Sequence, residues 1–558
     1  MPTVAEAVAQ TLVAYGTEKF FCFMGGDHDL WYALHDAGIQ IINCRSEAGA
    51  VYMADGYGRV SGKPGFVYGQ RGPGVANVAG AMADPVWASS PLISLTSAIG
   101  ATSRDRFEYQ ELDGLKMHVG FTEWNKTIHA PERTAAMVRA AIRAATGPVP
   151  RPVHLEIPAQ MFDEDTGDAP IYRDENHGTV NSRRIPAPAG AMRAAIDRLL
   201  AAKRPLILAG KGCVISEAWD EVTRFADLLS ISVVTSLGGK GAISEDHELA
   251  VGTIGRNSRK VGNDTIRKAD CILVIGTRLG GLVTHRWALP FQDKQLIQID
   301  TNPDMLGHNY RAELTILADA KLALAAGIAE IEANKLQRPR NAWSKEIAGE
   351  VVAWHKHAAA LAEEKPADGI HPADIVARMR KVMKPDDLLG ADTGGIGSWG
   401  GTLFPVKEGK TFVRANGSLG WVVPGVMGAA VARPQHRAVA LSGDGGVLYH
   451  ISELETALRL NIPIVIVVVN NSSLASEYHA QQHRPENHVI SEVLDFRDTD
   501  FGAVARAFGA HGSRVTDRAD LEDAIRDALA SNMPALVDVV SSKEVTAPSG
   551  NRDKTRKV

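Results

Sequence analysis

A chain of 558 residues, 45% hydrophobic and 22% charged, has the composition of a globular protein with real cores, divided into three or four domains at roughly 100–200 residues each. Its 60 Lys and Arg against 65 Asp and Glu leave a net charge of −5, which argues against a nucleic-acid partner. Four scattered cysteines, Cys22, Cys44, Cys213 and Cys271, form no CxxC pair and read as buried thiols of a reducing compartment. The longest apolar run, Ile462 to Val469, is far shorter than the roughly 20 residues of a membrane span. The N-terminus lacks a charged segment followed by an apolar one, so no signal peptide, no membrane association and a cytoplasmic location are expected.

In chain order, residues 3–16 have helical spacing through Val4, Val8, Leu12 and Val13, and a strand at Phe20–Met24 runs into Gly25-Gly26. A helix (Leu30–His35), a strand (Ile39–Asn43) and a helix of small residues (Ala48–Gly58) follow, with further strands at Gly65–Tyr68, Leu92–Thr96 and Pro152–Ile157. A second alternating block has strands at 205–209, 232–235, 270–275 and 295–300; a third has them at 387–390, 438–442, 464–469 and 535–539. Strands alternating with helices imply parallel sheets covered on both faces. The expected fold is therefore α/β: three consecutive doubly wound domains at 1–180, 190–335 and 360–540, joined by polar linkers. Residues 541–558 form a flexible tail or a lid.

The strand Ala438–Ser442 ends in Gly443-Asp444-Gly445-Gly446, with a helix expected near Ile451, and about 24 residues later the next strand ends in Asn470-Asn471. Both loops then lie at the carboxyl ends of parallel strands, where open α/β sheets bind ligands. Glycines let backbone N–H groups approach a diphosphate closely. The charge of a diphosphate calls for a hard divalent cation such as Mg²⁺ with oxygen ligands. Asp444 offers a carboxylate, Asn471 an amide oxygen and Ser473 a backbone carbonyl.

Gly-Asp-Gly, a helix, a strand and Asn-Asn at this spacing resemble the signature of thiamine-diphosphate enzymes. The resemblance extends over nearly the whole chain. Cys44-Arg-Ser-Glu47-Ala-Gly-Ala-Val-Tyr-Met-Ala-Asp-Gly-Tyr-Gly-Arg59 is similar to the pyrimidine-binding segment of the acetolactate synthase and pyruvate decarboxylase superfamily. Gly72-Pro73-Gly74-Val-Ala-Asn77, Arg106-Phe-Glu-Tyr-Gln110-Glu111, Thr235–Gly241 and Gly417-Ser-Leu419-Gly420 are similar to further segments of it. The resemblance implies three domains, one binding the pyrimidine, one Rossmann-like and one binding the diphosphate. It also implies a homodimer or homotetramer with active sites at subunit interfaces. By the same analogy Glu47 keeps a proton at the pyrimidine, so that the cofactor's own imino nitrogen can take the C2 proton; desolvation suits a glutamate to this. Gly74 and Asn77 approach the pyrimidine, and Leu419 is the wedge that bends the cofactor into a V.

Three loops are expected to line the substrate pocket. They carry His28, Gln110 and the group Glu477, Tyr478 and His479, of which Glu477 is the catalytic candidate. In the central domain, Lys211, Arg278 and Asp300 each follow a strand. Similar domains bind FAD, a nucleotide such as ADP or coenzyme A, or nothing. Arg278-Leu-Gly-Gly departs from the Phe-Asp-Asp-Arg stretch of acetolactate synthases, which speaks against FAD. Ser46 stands where many members have histidine, Gln70-Arg71 where Thr-Ser is common, and the His-His pair of pyruvate decarboxylases is absent. The implied activity is decarboxylation of a 2-oxo acid through a carbanion or enamine, with a proton or second carbonyl as its acceptor. The alternative is a 2-hydroxyacyl-CoA lyase or oxalyl-CoA decarboxylase acting on a coenzyme A thioester, suggested by Gly210-Lys211-Gly212, Arg278-Leu279 and Ser549-Gly-Asn-Arg552. A non-catalytic paralogue that only binds the cofactor is the remaining reading, disfavoured because Glu47 is present. No G-x-G-x-x-G follows the first strand, which speaks against a nicotinamide dehydrogenase.

Overall fold

The computed structural model describes residues 1–484 and 488–548. It contains three six-stranded, all-parallel sheets in sequence. The first has β1 (Lys19–Cys22), β2 (Gln40–Asn43), β3 (Gly65–Gly69), β4 (Leu92–Ala98), β5 (Asn125–Thr127) and β6 (Pro152–Pro158), in the order β2-β1-β3-β4-β6-β5. The second has β7 (Pro205–Ala209), β8 (Val233–Thr235), β9 (Ala250–Thr253), β10 (Cys271–Ile275), β11 (Gln295–Asp300) and β12 (Leu314–Leu317), in the order β12-β11-β10-β7-β8-β9. The third has β13 (Leu388–Ala391), β14 (Phe412–Arg414), β15 (Ala438–Gly443), β16 (Ile464–Asn470), β17 (His511–Val515) and β18 (Ala535–Val540), in the order β14-β13-β15-β16-β18-β17. The outer two sheets thus share one topology and the central one is Rossmann-like. The expected α/β architecture is present.

Central strands such as β16 are buried along their whole length, because helices cover both faces and no position faces water. Five strands were not expected from the sequence: β5, β9, β12, β14 and β17. All five are sheet edges. They are short, and β5 (Asn-Lys-Thr) and β17 (His-Gly-Ser-Arg-Val) carry the polar residues that an edge tolerates. The 330–365 connection is mostly one helix, Ala342–Glu363.

The first and third domains are locked together by the helices Glu47–Ser61 and Val422–Ala432. Ser46 caps the first of these, its hydroxyl accepting from Gly49 N at 3.0 Å. The helices cross at glycines: a Cβ on Gly56 would overlap the carbonyl of Gly425, and one on Gly428 the carbonyl of Met53. A second anchor lies within the first domain, where the His118 and His154 rings stack at 3.7 Å and 3°. The Thr96 hydroxyl meets His154 Nε2 at 2.7 Å, and Ser94 meets His118 Nε2 at 3.3 Å. This ties the Gly114–His118 helix, just beyond Gln110, to the sheet.

Two outcomes follow from this packing. Gly428→Ala is expected to lower stability by about 1–3 kcal/mol or more through overpacking, read by thermal unfolding; an unchanged midpoint contradicts so close a helix crossing. Burial also pushes His118 down from 6.5 to about 4, and His154 well below its usual value. The unfolded chain therefore takes up protons below pH 6.5 that the folded chain refuses until about pH 4. Stability should be full above 6.5 and decline as pH falls toward 4, and the decline should be shallower in His118→Phe.

Candidate active site

Each sheet has one switch point, where strand order reverses and neighbouring loops splay apart to leave a crevice. The crevices lie between β1 and β3, β7 and β10, and β13 and β15. The candidate functional residues collect at these three places.

At the third crevice there is a cavity of about 340 Å³. It is lined by Thr393–Ile396 after β13, Gly443–Gly446 after β15, Asn471 and Ser473 after β16, and Leu419. Asp444 is 4% exposed. Its carboxylate accepts from Gly445 N at 2.8 Å, Asn471 N at 3.1 Å and Ser473 N at 3.2 Å. The Asn471 amide oxygen accepts from Ser473 N at 3.2 Å. Asp444 and Asn471 therefore stand side by side as oxygen donors. The Ser473 carbonyl already accepts from Ala475 N at 2.9 Å, which leaves it one lone pair. Burial raises the Asp444 carboxyl to about 6 although the backbone N–H bonds pull the other way.

The helix after β15 starts at Asp444 itself and breaks at Ile451–Ser452, earlier than the sequence suggested, because the glycines that read as loop form its first turn. Beneath it lies Asp392, which sequence reasoning missed. It is 1% exposed, accepts from Thr393 N at 2.9 Å and Gly420 N at 3.0 Å, and burial raises its carboxyl to about 7. The available signal was an aspartate ending a strand just before Thr393-Gly394-Gly395. A Cβ on Gly446 would strike the Asp392 carboxylate, whereas one on Gly443 meets nothing within 4 Å.

Of the three residues after the Asn-Asn loop, Glu477 and His479 line the cavity, while the Tyr478 hydroxyl donates to Glu544 at 2.7 Å. Ser542, Val545, Thr546 and Ala547 close the cavity from above. The tail reading on Ser549–Arg552 lies outside the described residues.

The first crevice holds Glu47 as the opening residue of its helix. Asn77 Nδ2 donates to Glu47 Oε2 at 3.1 Å, and a Cβ on Gly74 would lie 3.3 Å from Glu47 Oε1. Gln110 packs against Gly72 of the same loop in a left-handed conformation (φ 65°), and its Oε1 is buried without a hydrogen-bond partner. His28 is exposed at the start of the His28–Asp36 helix, after left-handed Asp27 (φ 56°). Asp27 accepts from Tyr68 and pairs with Arg71 at 3.4 Å. All residues lining the 340 Å³ cavity come from 372–547, so the Glu47 cluster lies outside the cavity that holds Asp444.

The central crevice is a cavity of about 280 Å³ lined by Lys211, Arg278, Asp300, Arg183 and Arg414, among others. Lys211 Nζ donates to Ala88 O and Arg278 Nη2 to Ser89 Oγ at 2.6 Å. Burial holds the Lys211 amine well below its usual value and raises the Asp300 carboxyl.

These features define an α/β protein of three doubly wound domains with crevices at their switch points. Three family models, described as the N-terminal TPP binding domain, the central domain and the C-terminal TPP binding domain of thiamine pyrophosphate enzymes, match residues 2–117, 192–326 and 392–539. The chain is 30% identical over 550 residues to a probable acetolactate synthase large subunit of Methanocaldococcus jannaschii, covering 96% of this chain and 91% of that one. It is 28% identical to the sulfoacetaldehyde acetyltransferase of Castellaniella defragrans, covering 98% and 94%. It is 26% identical to the acetolactate synthase isozyme 2 large subunit of Escherichia coli, covering 96% and 95%. The chain belongs to the thiamine pyrophosphate enzyme family. Among the described residues no helix is long and apolar enough to cross a membrane.

The two glycines of the turn make a paired test. Gly446→Ala should lower the unfolding midpoint of the cofactor-free protein by several degrees, and Gly443→Ala should leave it unchanged. Equal effects would contradict the close approach of Asp392.

Proposed function

We propose that this protein is a thiamine-diphosphate-dependent decarboxylase or carboligase of 2-oxo acids, similar to acetolactate synthase. One observation carries the reading: the same chain has a glutamate held by Asn77 against a Gly-Pro-Gly loop and, in another recess, an Asp444–Asn471 oxygen pair beside a glycine turn.

The 340 Å³ recess suits the cofactor's diphosphate in size and chemistry. Gly443 leaves open space, the helix Gly394–Leu403 begins at the recess, and its first N–H groups favour an anion. Among the described residues no cluster of three or more His, Cys, Asp or Glu side chains could hold a metal. Asp444, Asn471 and the Ser473 carbonyl would hold a hard cation such as Mg²⁺, which would neutralise the diphosphate charge. Bound thiamine diphosphate supplies a nucleophilic carbon and an electron sink for the pair released when a C–C bond breaks. Glu47 shares its proton with the pyrimidine ring, and Asn77 fixes that carboxylate. Gly74 gives the ring its close approach, and Leu419 props the cofactor from below. Gln110 offers its amide to a substrate oxygen, while His28 and Glu477 move protons at the mouth.

Because Glu47 lies outside the Asp444 cavity within one chain, the reading pairs Glu47 of one copy with Asp444 of another, in a homodimer or homotetramer. The four free, buried cysteines support a reducing, cytoplasmic location.

A second reading concerns the central crevice. Lys211, Arg278 and Asp300 line it at the ends of three strands, an arrangement that favours a nucleotide such as ADP or the nucleotide of a coenzyme A thioester. Turnover of free 2-oxo acids against acyl-CoA thioesters separates the two substrate classes. Activity with thioesters alone overturns the first.

Glu47→Gln is expected to retain cofactor affinity while lowering turnover about a thousandfold. Asp444→Ala should abolish Mg²⁺-dependent cofactor binding by titration calorimetry. A fully active Glu47→Gln enzyme contradicts the assigned role.

A further inference from the structure

We propose that Asp84, from the N-terminal domain, is a positioning residue for Leu419, acting with Asp392 as one of two carboxylate anchors that set where this side chain stands beneath the cofactor. The proposal rests on the reading of Leu419 as the prop.

Leu419 lies in the segment Asn416–Gly420, between β14 and the Val422–Ala432 helix. A leucine side chain has no polar group to hold it, so its place is fixed by the backbone on either side. The N–H before it, of Ser418, donates to Asp84 Oδ2 at 3.1 Å. The N–H after it, of Gly420, donates to Asp392 Oδ2 at 3.0 Å. Asp84 also accepts from Asn416 N at 2.7 Å and Asn416 Nδ2 at 3.1 Å. Its carboxylate therefore takes three hydrogen bonds from this one segment, and its side chain is fully buried. Hydrogen bonds to an ionised carboxylate are stronger than neutral ones.

Asp84 is itself held. Arg59 Nη2 donates to it at 2.7 Å and also pairs with Asp55. The Arg59 guanidinium lies 4.3 Å from the ring centre of Trp421, and Trp421 Nε1 donates to Asp55 at 2.8 Å. Trp421 directly follows Gly420. The segment is thus gripped at Asn416, Ser418 and Trp421 by the N-terminal domain and at Gly420 by its own domain. Gly420 is left-handed (φ 84°), and a Cβ there would lie 2.5 Å from Tyr449 Cβ and 2.8 Å from Gly446 O, so only glycine lets the segment pass this close to the Gly-Asp-Gly turn. A shift of the Asp84 anchor therefore moves Leu419 relative to the diphosphate recess without touching Asp444 or Glu47.

The test uses the full-length enzyme and the variants Asp84→Asn, Leu419→Ala and both together. Amide hydrogen exchange of the 414–421 peptide is read in the cofactor-free protein. The hydrogen–deuterium exchange rate at the cofactor's C2, the cofactor Kd and the unfolding midpoint are read as well. Asp84→Asn is expected to speed amide exchange in the segment and slow C2 exchange about tenfold or more, with Kd changed less than about threefold. The double variant should be no slower than Leu419→Ala, because both act through one side chain. Asp84→Glu keeps the charge but moves the carboxylate; it should slow C2 exchange too and serves if the Asn variant does not fold. Unchanged C2 exchange in the Asp84 variants, or effects that multiply in the double variant, overturn the proposal while leaving the Leu419 reading intact. Normal C2 exchange in Leu419→Ala overturns the Leu419 reading and the proposal with it.

Discussion

The diphosphate half of the site depends on carboxylates buried where a sheet opens. Asp444 gathers the N–H groups of its own turn and of the Asn471–Ser473 loop, and Asp392 gathers those of Thr393 and Gly420. Loops from β13, β14, β15 and β16 are thereby bound to one another at the carboxyl edge of one sheet. A buried carboxylate is costly unless its lone pairs are met, and here backbone amides meet them. The same low-dielectric setting raises both carboxyls, to about 6 and about 7.

The outer two sheets share one strand order, so the chain carries the same crevice twice with different residues in it. The N-terminal copy holds an acid, Glu47, with Asn77 and a Gly-Pro-Gly loop. The C-terminal copy holds hard oxygen donors and a glycine turn. In the proposed site the two copies are complementary, one offering an acid to the pyrimidine and the other an anchor to the diphosphate. The helices Glu47–Ser61 and Val422–Ala432 clamp the two domains of one chain back to back through glycine contacts.

Much of this was legible in the sequence because the constraints were local. Close backbone approach demands glycine, and buried parallel strands demand unbroken apolar runs, so Gly443–Gly446 and the central strands stood out, while Glu47 was singled out only by resemblance to a known segment. The edge strands did not, since a strand open on one side needs neither length nor apolarity. Asp392, Asp84 and Arg59 were silent for another reason. Each acts through partners distant in the chain, and a single aspartate at a strand or helix end looks like any cap. For Ser542–Ala547 the sequence left a flexible tail and a lid both open, because its place beside the cavity is fixed by contacts such as Glu544 with Tyr478 rather than by any pattern of its own. The role of the central crevice was visible only as loose cations after strands. Its shape needed three domains to meet.

In the proposed site Glu47 and Asp444 serve the same cofactor from different chains. Co-refolding Glu47→Gln chains with Asp444→Ala chains measures it most directly. Each variant alone has no intact site, but a mixed dimer has one site with both wild-type residues, so random pairing should restore about a quarter of wild-type activity. No recovery in a mixture shown to contain mixed dimers would mean that the two residues work within one chain, and the interface site would be wrong.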